Sequence, residues 1–105
     1  MPKINIKFAT YTRDFIGGKK EVTLELPSSS TINNLIEELS NRFERSFKEK
    51  IIDSKTGKLQ QHVIILVNGR EITFLKGLET VLNENDEVAF IPPFAGGSLK
   101  FIGDE

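Results

Sequence analysis

Asp86-Glu87-Val88-Ala89-Phe90-Ile91-Pro92-Pro93-Phe94-Ala95-Gly96-Gly97 reads as a short apolar strand that runs into two prolines and leaves as a thin peptide. Neither proline carries an N–H and both fix φ, so the ladder cannot continue past them. They direct the chain away from the body of the domain. Ala95, Gly96 and Gly97 add almost no side-chain bulk, so the segment suits a channel too narrow for ordinary residues. From Pro92 to Gly97 it spans up to about 20 Å at roughly 3.3 Å per residue.

A body that holds out such a peptide needs a sheet to anchor it, and the upstream residues supply one. Ile4, Ile6 and Phe8 alternate with Lys3, Asn5 and Lys7 at the period of a strand with one buried face. Gly17-Gly18-Lys19-Lys20 marks a turn, and Val22, Leu24 and Leu26 resume the alternation as the second arm of a hairpin. The connection, residues 10–20, carries Tyr11, Arg13 and Phe15. Arg and aromatic side chains there suit a partner surface, or Phe15 folds back to cap the core. Pro27-Ser28-Ser29-Ser30-Thr31 ends the strand, with Ser30 or Thr31 as the helix N-cap. Ile32, Leu35, Ile36, Leu39 and Phe43 then follow helical spacing and form a core stripe.

The pattern breaks from Phe47 to Gln61, where Ile51, Ile52 and Leu59 point to short local structure docked on the body. His62-Val63-Ile64-Ile65-Leu66-Val67 is a continuous apolar run, which fits a central strand or one covered on both faces. Asn68-Gly69 is a hairpin turn leading into Arg70-Glu71-Ile72-Thr73. Residues 74–82 lack a strict period and read as a loop with a helical turn. The order β-β-α-β-β-β gives an α+β fold: a mixed five-stranded sheet with one main helix packed on one face.

Composition narrows the function. A chain of 105 residues, 38% hydrophobic and 28% charged, fits one domain with a two-layer core. With zero cysteines it has no disulfide, thiolate metal site or catalytic thiol. A net charge of −1 gives no case for nucleic acid or an anionic membrane as partner. The first residues enter strand alternation directly, without a signal-peptide core, and no apolar run approaches bilayer length; the expectation is a cytoplasmic domain. His62 is the only histidine, and Asp14, Glu21, Glu37, Asp53 and Asp86 are scattered. No acid–base pair or phosphate loop emerges, so the chain is expected not to be an enzyme and to bind no cofactor or metal. A reagent role for the polypeptide itself remains. A C-terminal glycine carboxylate can be adenylated by a partner, then converted to a thiocarboxylate or attacked by a lysine amine.

The terminal stretch quoted above resembles the terminal motif of the MoaD/ThiS sulfur carriers. Val67-Asn68-Gly69-Arg70 and Leu75-Lys76-Gly77-Leu78-Glu79-Thr80 match that family upstream at its spacing, and the long segment between helix and third strand is similar to the archaeal MoaD-type branch, which includes small ubiquitin-like modifiers. The resemblance covers residues 3–97. It implies a ubiquitin-like β-grasp with first and last strands parallel at the sheet centre. It implies that Gly97 is the carrier residue, activated by an ATP-using, ubiquitin-activating-type adenylating enzyme. Gly96, Ala95, Phe94, Pro93 and Pro92 would thread that enzyme's channel and later that of the molybdopterin synthase large subunit. Phe90 and Ile91 fall at the family's partner interface, although alternation puts one inside and one outside, and Arg13 lies near the family's strand-one loop arginine.

The family normally stops at Gly-Gly, whereas residues 98–105, Ser98-Leu99-Lys100-Phe101-Ile102-Gly103-Asp104-Glu105, continue here. The domain is therefore read as residues 1–97, with 98–105 as an extension. Three readings stand: a pro-segment cut after Gly97 by a metalloprotease, a permanent tail on a non-covalent β-grasp interaction module, or a hinge to a disordered end. Within the first, the expected role is sulfur donation in molybdopterin cofactor synthesis, with conjugation to target-protein lysines as a second role.

Overall fold

The computed structural model describes residues 1–93. β1 (Lys3–Phe8) and β2 (Glu21–Glu25) form the expected antiparallel hairpin, with Ile4 opposite Leu24 and Ile6 opposite Val22. β5 (Glu87–Ile91) runs parallel to β1 and antiparallel to β3 (Ile64–Val67), which pairs in turn with β4 (Arg70–Glu71). The order β2-β1-β5-β3-β4 puts the last strand at the centre, beside the first. This is the ubiquitin-like β-grasp.

Period-two alternation sends Ile4, Ile6, Phe8, Val22, Leu24, Ile65, Val67, Val88 and Phe90 to one face, all buried. α1 (Ile32–Arg42) lays Ile32, Leu35, Ile36 and Leu39 on that face, each fully buried. Thr31 is its N-cap: the Asn34 N–H donates to Thr31 Oγ1 at 3.2 Å, and the Thr31 N–H donates to Asn34 Oδ1 at 2.9 Å. This reciprocal pair is a capping box with Asn in the usual Glu/Gln place. Phe43, expected in the core stripe, is instead the residue that ends the helix and is exposed, with the Lys19 ammonium 5.1 Å from its ring centre.

Three further segments differ from the sequence reading, and a fourth agrees with it. Residues 10–16 form a 3₁₀ helix rather than an open loop; it buries Thr12 and Ile16 and packs Phe15 partly against the core. The irregular segment after α1 holds the short docked structure expected there: a helix, α2 (Phe47–Ile51), and a bridge between Ile52 and Leu59. β3 starts at Ile64, leaving His62 outside it. β4 is only two residues long, because the chain turns into 3₁₀ geometry at Ile72–Phe74 and buries Ile72. The Phe8, Phe47 and Phe90 rings close the core beneath the end of β5: Phe8 stacks on Phe90 at 5.3 Å, and Phe47 meets both edge-on.

Candidate docking face and carrier tail

β5 fixes where the peptide leaves the body. Phe90 is fully buried, so its place in the partner interface is corrected: the alternation that faces Val88 inward also faces Phe90 inward, where Phe8 and Phe47 hold it. Ile91 is half-exposed on the outer face. Pro92 is buried and Pro93 exposed, so the departure from the body comes one residue later than the threading assignment for Pro92 requires. Phe94, Ala95, Gly96 and Gly97 lie outside the described residues.

Hydrogen bonds secure this exit. The Ala9 N–H donates to the Phe90 carbonyl at 3.0 Å. The buried Thr12 hydroxyl lies 2.9 Å from the same carbonyl and 2.6 Å from that of Ala9, and its single hydrogen serves one at a time. Arg13 Nε donates to the Phe8 carbonyl at 3.0 Å, holding the guanidinium over the end of β1. The 3₁₀ helix therefore serves the site: it delivers Thr12 to the end of β5 and Arg13 to the outer face.

The outer face of the sheet is apolar at its centre. Register places Ile64 opposite Ile91 and Leu66 opposite Ala89, and all four side chains are half-exposed. No secondary-structure element among the described residues packs on this face as α1 packs on the inner one. Beside it lies a groove of about 340 Å³ floored by Ala89 and Ile91 and rimmed by Lys7, Arg13, Lys20 and Glu21. Lys7 pairs with Glu87 at 2.6 Å, and the hydrogen bond and charge of Glu87 raise its amine above the ordinary 10.5. Arg13 and Ile91, far apart in the chain, thus meet at one groove.

A second groove, about 650 Å³, is lined by Pro93 together with Asp53, Lys58, Leu59, Gln60 and His62. His62 is tied structurally. Its Nε2 lies 2.7 Å from the Lys50 carbonyl, the Tyr11 hydroxyl donates to its own carbonyl at 2.6 Å, and Phe15 meets its ring edge-on. Asp86 and Asn68 likewise serve the fold, bonding each other at 2.9 Å where the β3–β4 turn meets the start of β5. Among the described residues no three His, Asp or Glu side chains converge as a metal site, and no helix is long and apolar enough to cross a membrane.

Sequence reasoning missed Thr12 as an anchor and Ile64, Leu66 and Ala89 as surface. The signal for the last three was present: an uninterrupted apolar run gives both faces apolar residues, and α1 covers just one of them.

Comparison with known proteins agrees with this geometry. Small archaeal modifier protein 3 of Haloferax volcanii is 28% identical over 95 residues, covering 90% of this chain and 99% of that protein. The sulfur carrier protein CysO of Mycobacterium tuberculosis is 32% identical over 95 residues, covering 90% and 98%. A solved structure of a putative molybdopterin converting factor, subunit 1, from Pyrococcus furiosus superposes with a TM-score of 0.70 at 28% identity, over 90% of this chain and 100% of that one. Residues 6–97 match the ThiS family. With the central parallel strand pair and a match that runs through to the Gly-Gly pair, the chain belongs to the ThiS family of sulfur-carrier and ubiquitin-like proteins.

Proposed function

We propose that this protein is a sulfur carrier of the molybdopterin-synthase small-subunit type, working through Gly97 after a metalloprotease removes residues 98–105. The Gly97 carboxylate attacks the α-phosphate of ATP on a ubiquitin-activating-type enzyme, and pyrophosphate leaves. Sulfide, the sulfur donor at the required oxidation level, then attacks the acyl-adenylate carbonyl, the C–O bond to AMP breaks and AMP leaves, and the resulting thiocarboxylate carries sulfur to the large synthase subunit. The same activated carbonyl can take a target lysine amine, which gives a second role as a protein modifier. The chain itself holds no catalytic group in this scheme; ATP belongs to the partner.

The observation that supports this reading is that the central strand ends at Ile91, five residues before Gly96 in the sequence, beside an apolar face rimmed by Arg13 and Lys7. Body and tail then engage a partner together, with Ile91, Ile64, Leu66 and Ala89 as the apolar contact. The test is ATP–pyrophosphate exchange by the cognate activating enzyme with a chain ending at Gly97. Exchange that depends on that chain is expected, with loss in the 105-residue form. An inert chain ending at Gly97 overturns the carrier reading.

One observation favours a second reading. Gly97 is followed by Ser98, so the full chain offers no carboxylate at this position. A protein that keeps residues 98–105 in its own cells is a non-covalent β-grasp interaction module. Intact mass of the native protein separates the two: a species ending at Gly97, with or without one oxygen replaced by sulfur, against one that retains the extension.

A further inference from the structure

We propose that the open edge of β2 takes up an extended basic segment of another protein as a sixth, antiparallel strand of the sheet. The segment carries Lys or Arg four residues apart, with apolar β-branched residues between them on the other side of the strand. This contact uses the folded body alone and is separate from the carrier chemistry assigned to Gly97.

The hydrogen-bond parity of the hairpin leaves this edge free. The Phe8 N–H donates to the Lys20 carbonyl at 2.9 Å, and the Leu26 N–H donates to the Pro2 carbonyl at 2.9 Å. Antiparallel ladders alternate, so Val22 and Leu24 also turn their backbone groups toward β1. Glu21, Thr23 and Glu25 turn theirs outward, each with one N–H and one C=O. Among the described residues β2 pairs only with β1, and the side chains of these three residues are exposed. The opposite edge is blunt by comparison: β4 has two residues before the chain turns into 3₁₀ geometry at Ile72. β2 has five residues and neither proline nor glycine within it, so only its charges guard it. The core is also slightly open here, since Val22 and Leu24 are 9% and 5% exposed against 0% for Ile4 and Ile6 on the neighbouring strand.

Charge selects the occupant. Residues directly opposite each other share a face and interact most strongly, so an added strand meets Glu21, Thr23 and Glu25 on its outer side. Neither carboxylate forms an ion pair among the described residues. The cations around them stand farther off: Lys7 and Lys3 lie one strand inward, with Lys7 held by Glu87, and Lys19 sits 5.1 Å from the Phe43 ring centre. Lys20 lines the outer groove. A second copy of this chain fits poorly, because a two-fold pairing of β2 with itself about Thr23 sets a Glu21 opposite a Glu25 at both ends. A strand with Lys or Arg at its first and fifth residues answers both carboxylates. Its second and fourth residues then point to the inner side and close over Val22 and Leu24, which asks for apolar side chains.

The test titrates the ¹⁵N-labelled full chain with a synthetic peptide containing Lys-Val-Thr-Val-Lys. Amide shifts and slowed hydrogen exchange are expected at Glu21, Thr23 and Glu25, and binding is expected to weaken as salt is raised. A peptide with Glu in place of both Lys is expected to bind about tenfold more weakly, and the double variant Glu21→Lys, Glu25→Lys is expected to reverse that preference. Equal binding of the two peptides overturns the proposal, as does an unchanged preference in a folded double variant. Failure of the Lys peptide to bind overturns it as well, and so do shifts centred on Ile64, Leu66 and Ile91. Protection of the three amides that grows with protein concentration in the absence of peptide gives the edge to a second copy and sinks the idea. The two-peptide comparison on the unaltered chain decides even where the double variant does not fold. The carrier reading is judged by pyrophosphate exchange, so either idea can fail alone.

Discussion

Phe90 and Ile91 are adjacent in sequence and opposite in role. Phe90 touches only the core, so Phe90→Ala should cost about 3–5 kcal/mol of stability, as other large-to-small aromatic core changes do. Ile91→Asp should leave thermal unfolding within about 1 kcal/mol, since the side chain is half-exposed, yet abolish productive engagement of an activating partner. Paired melts and pyrophosphate-exchange assays on chains ending at Gly97 check both, and a stable Ile91→Asp protein with full exchange would remove the outer face from the site. Thr12 acts more quietly. Thr12→Val keeps the shape but deletes the hydroxyl near the Phe90 carbonyl, which still accepts from Ala9. The expected loss is about 1 kcal/mol, or a fall in melting temperature of about 4–8 °C. At Lys7 the folded-state amine titrates above 10.5 because Glu87 holds it protonated. Its contribution to stability is therefore present below 10.5 and fades as pH rises through the folded value. NMR titration should show the Lys7 midpoint falling in Glu87→Gln.

At the scale of elements, the β3–β4 turn has the firmest sequence signature and offers the cleanest test. Asn68 and Gly69 have φ of 51° and 85°, and a Cβ at Gly69 would meet nothing within 4 Å. The cost of Gly69→Ala is thus a backbone cost, about 1–2 kcal/mol by denaturant unfolding, with no clash to relieve. The elements legible in the sequence were those whose period or turn chemistry is local. The hairpin of β1 and β2, the α1 stripe from Ile32 to Leu39 and the Asn68-Gly69 turn are of this kind. What stayed hidden depended on tertiary contact. No periodicity in Thr10-Tyr11-Thr12-Arg13-Asp14-Phe15-Ile16 announces a 3₁₀ helix; that geometry follows from burying Thr12 and Ile16 against the end of β5. Phe47 sits in a charged, aperiodic stretch, yet it enters the core because Phe8 and Phe90 leave an edge for it. Phe43 failed in the opposite sense: it keeps helical spacing, but the helix ends there and the side chain turns to water. At the site, the tail was read from composition, whereas the apolar face beside it needed the strand register.

For the molecule as a whole, the sheet separates two demands that conflict in one peptide. On the carrier reading proposed above, the reacting glycine needs slack and slimness, while the partner needs a fixed distance from docking face to reaction centre. β5 meets the second by lying between β1 and β3 and ending in a carbonyl held by Ala9, with Thr12 beside it. Because Pro92 is buried, the residues from Pro93 to Gly97 set the longest span available, at most about 16 Å at roughly 3.3 Å per residue. Deleting Ala95 from a chain ending at Gly97 shortens that reach by about 3.3 Å and touches nothing in the described body. Its melting temperature should equal that of the parent. Its pyrophosphate exchange should fall by on the order of 100-fold or more, since misplacing a reacting group by even 1 Å carries a penalty of that size. Retained exchange would mean that the partner follows the glycine rather than the face, and the outer sheet would then lose its role as the measuring surface.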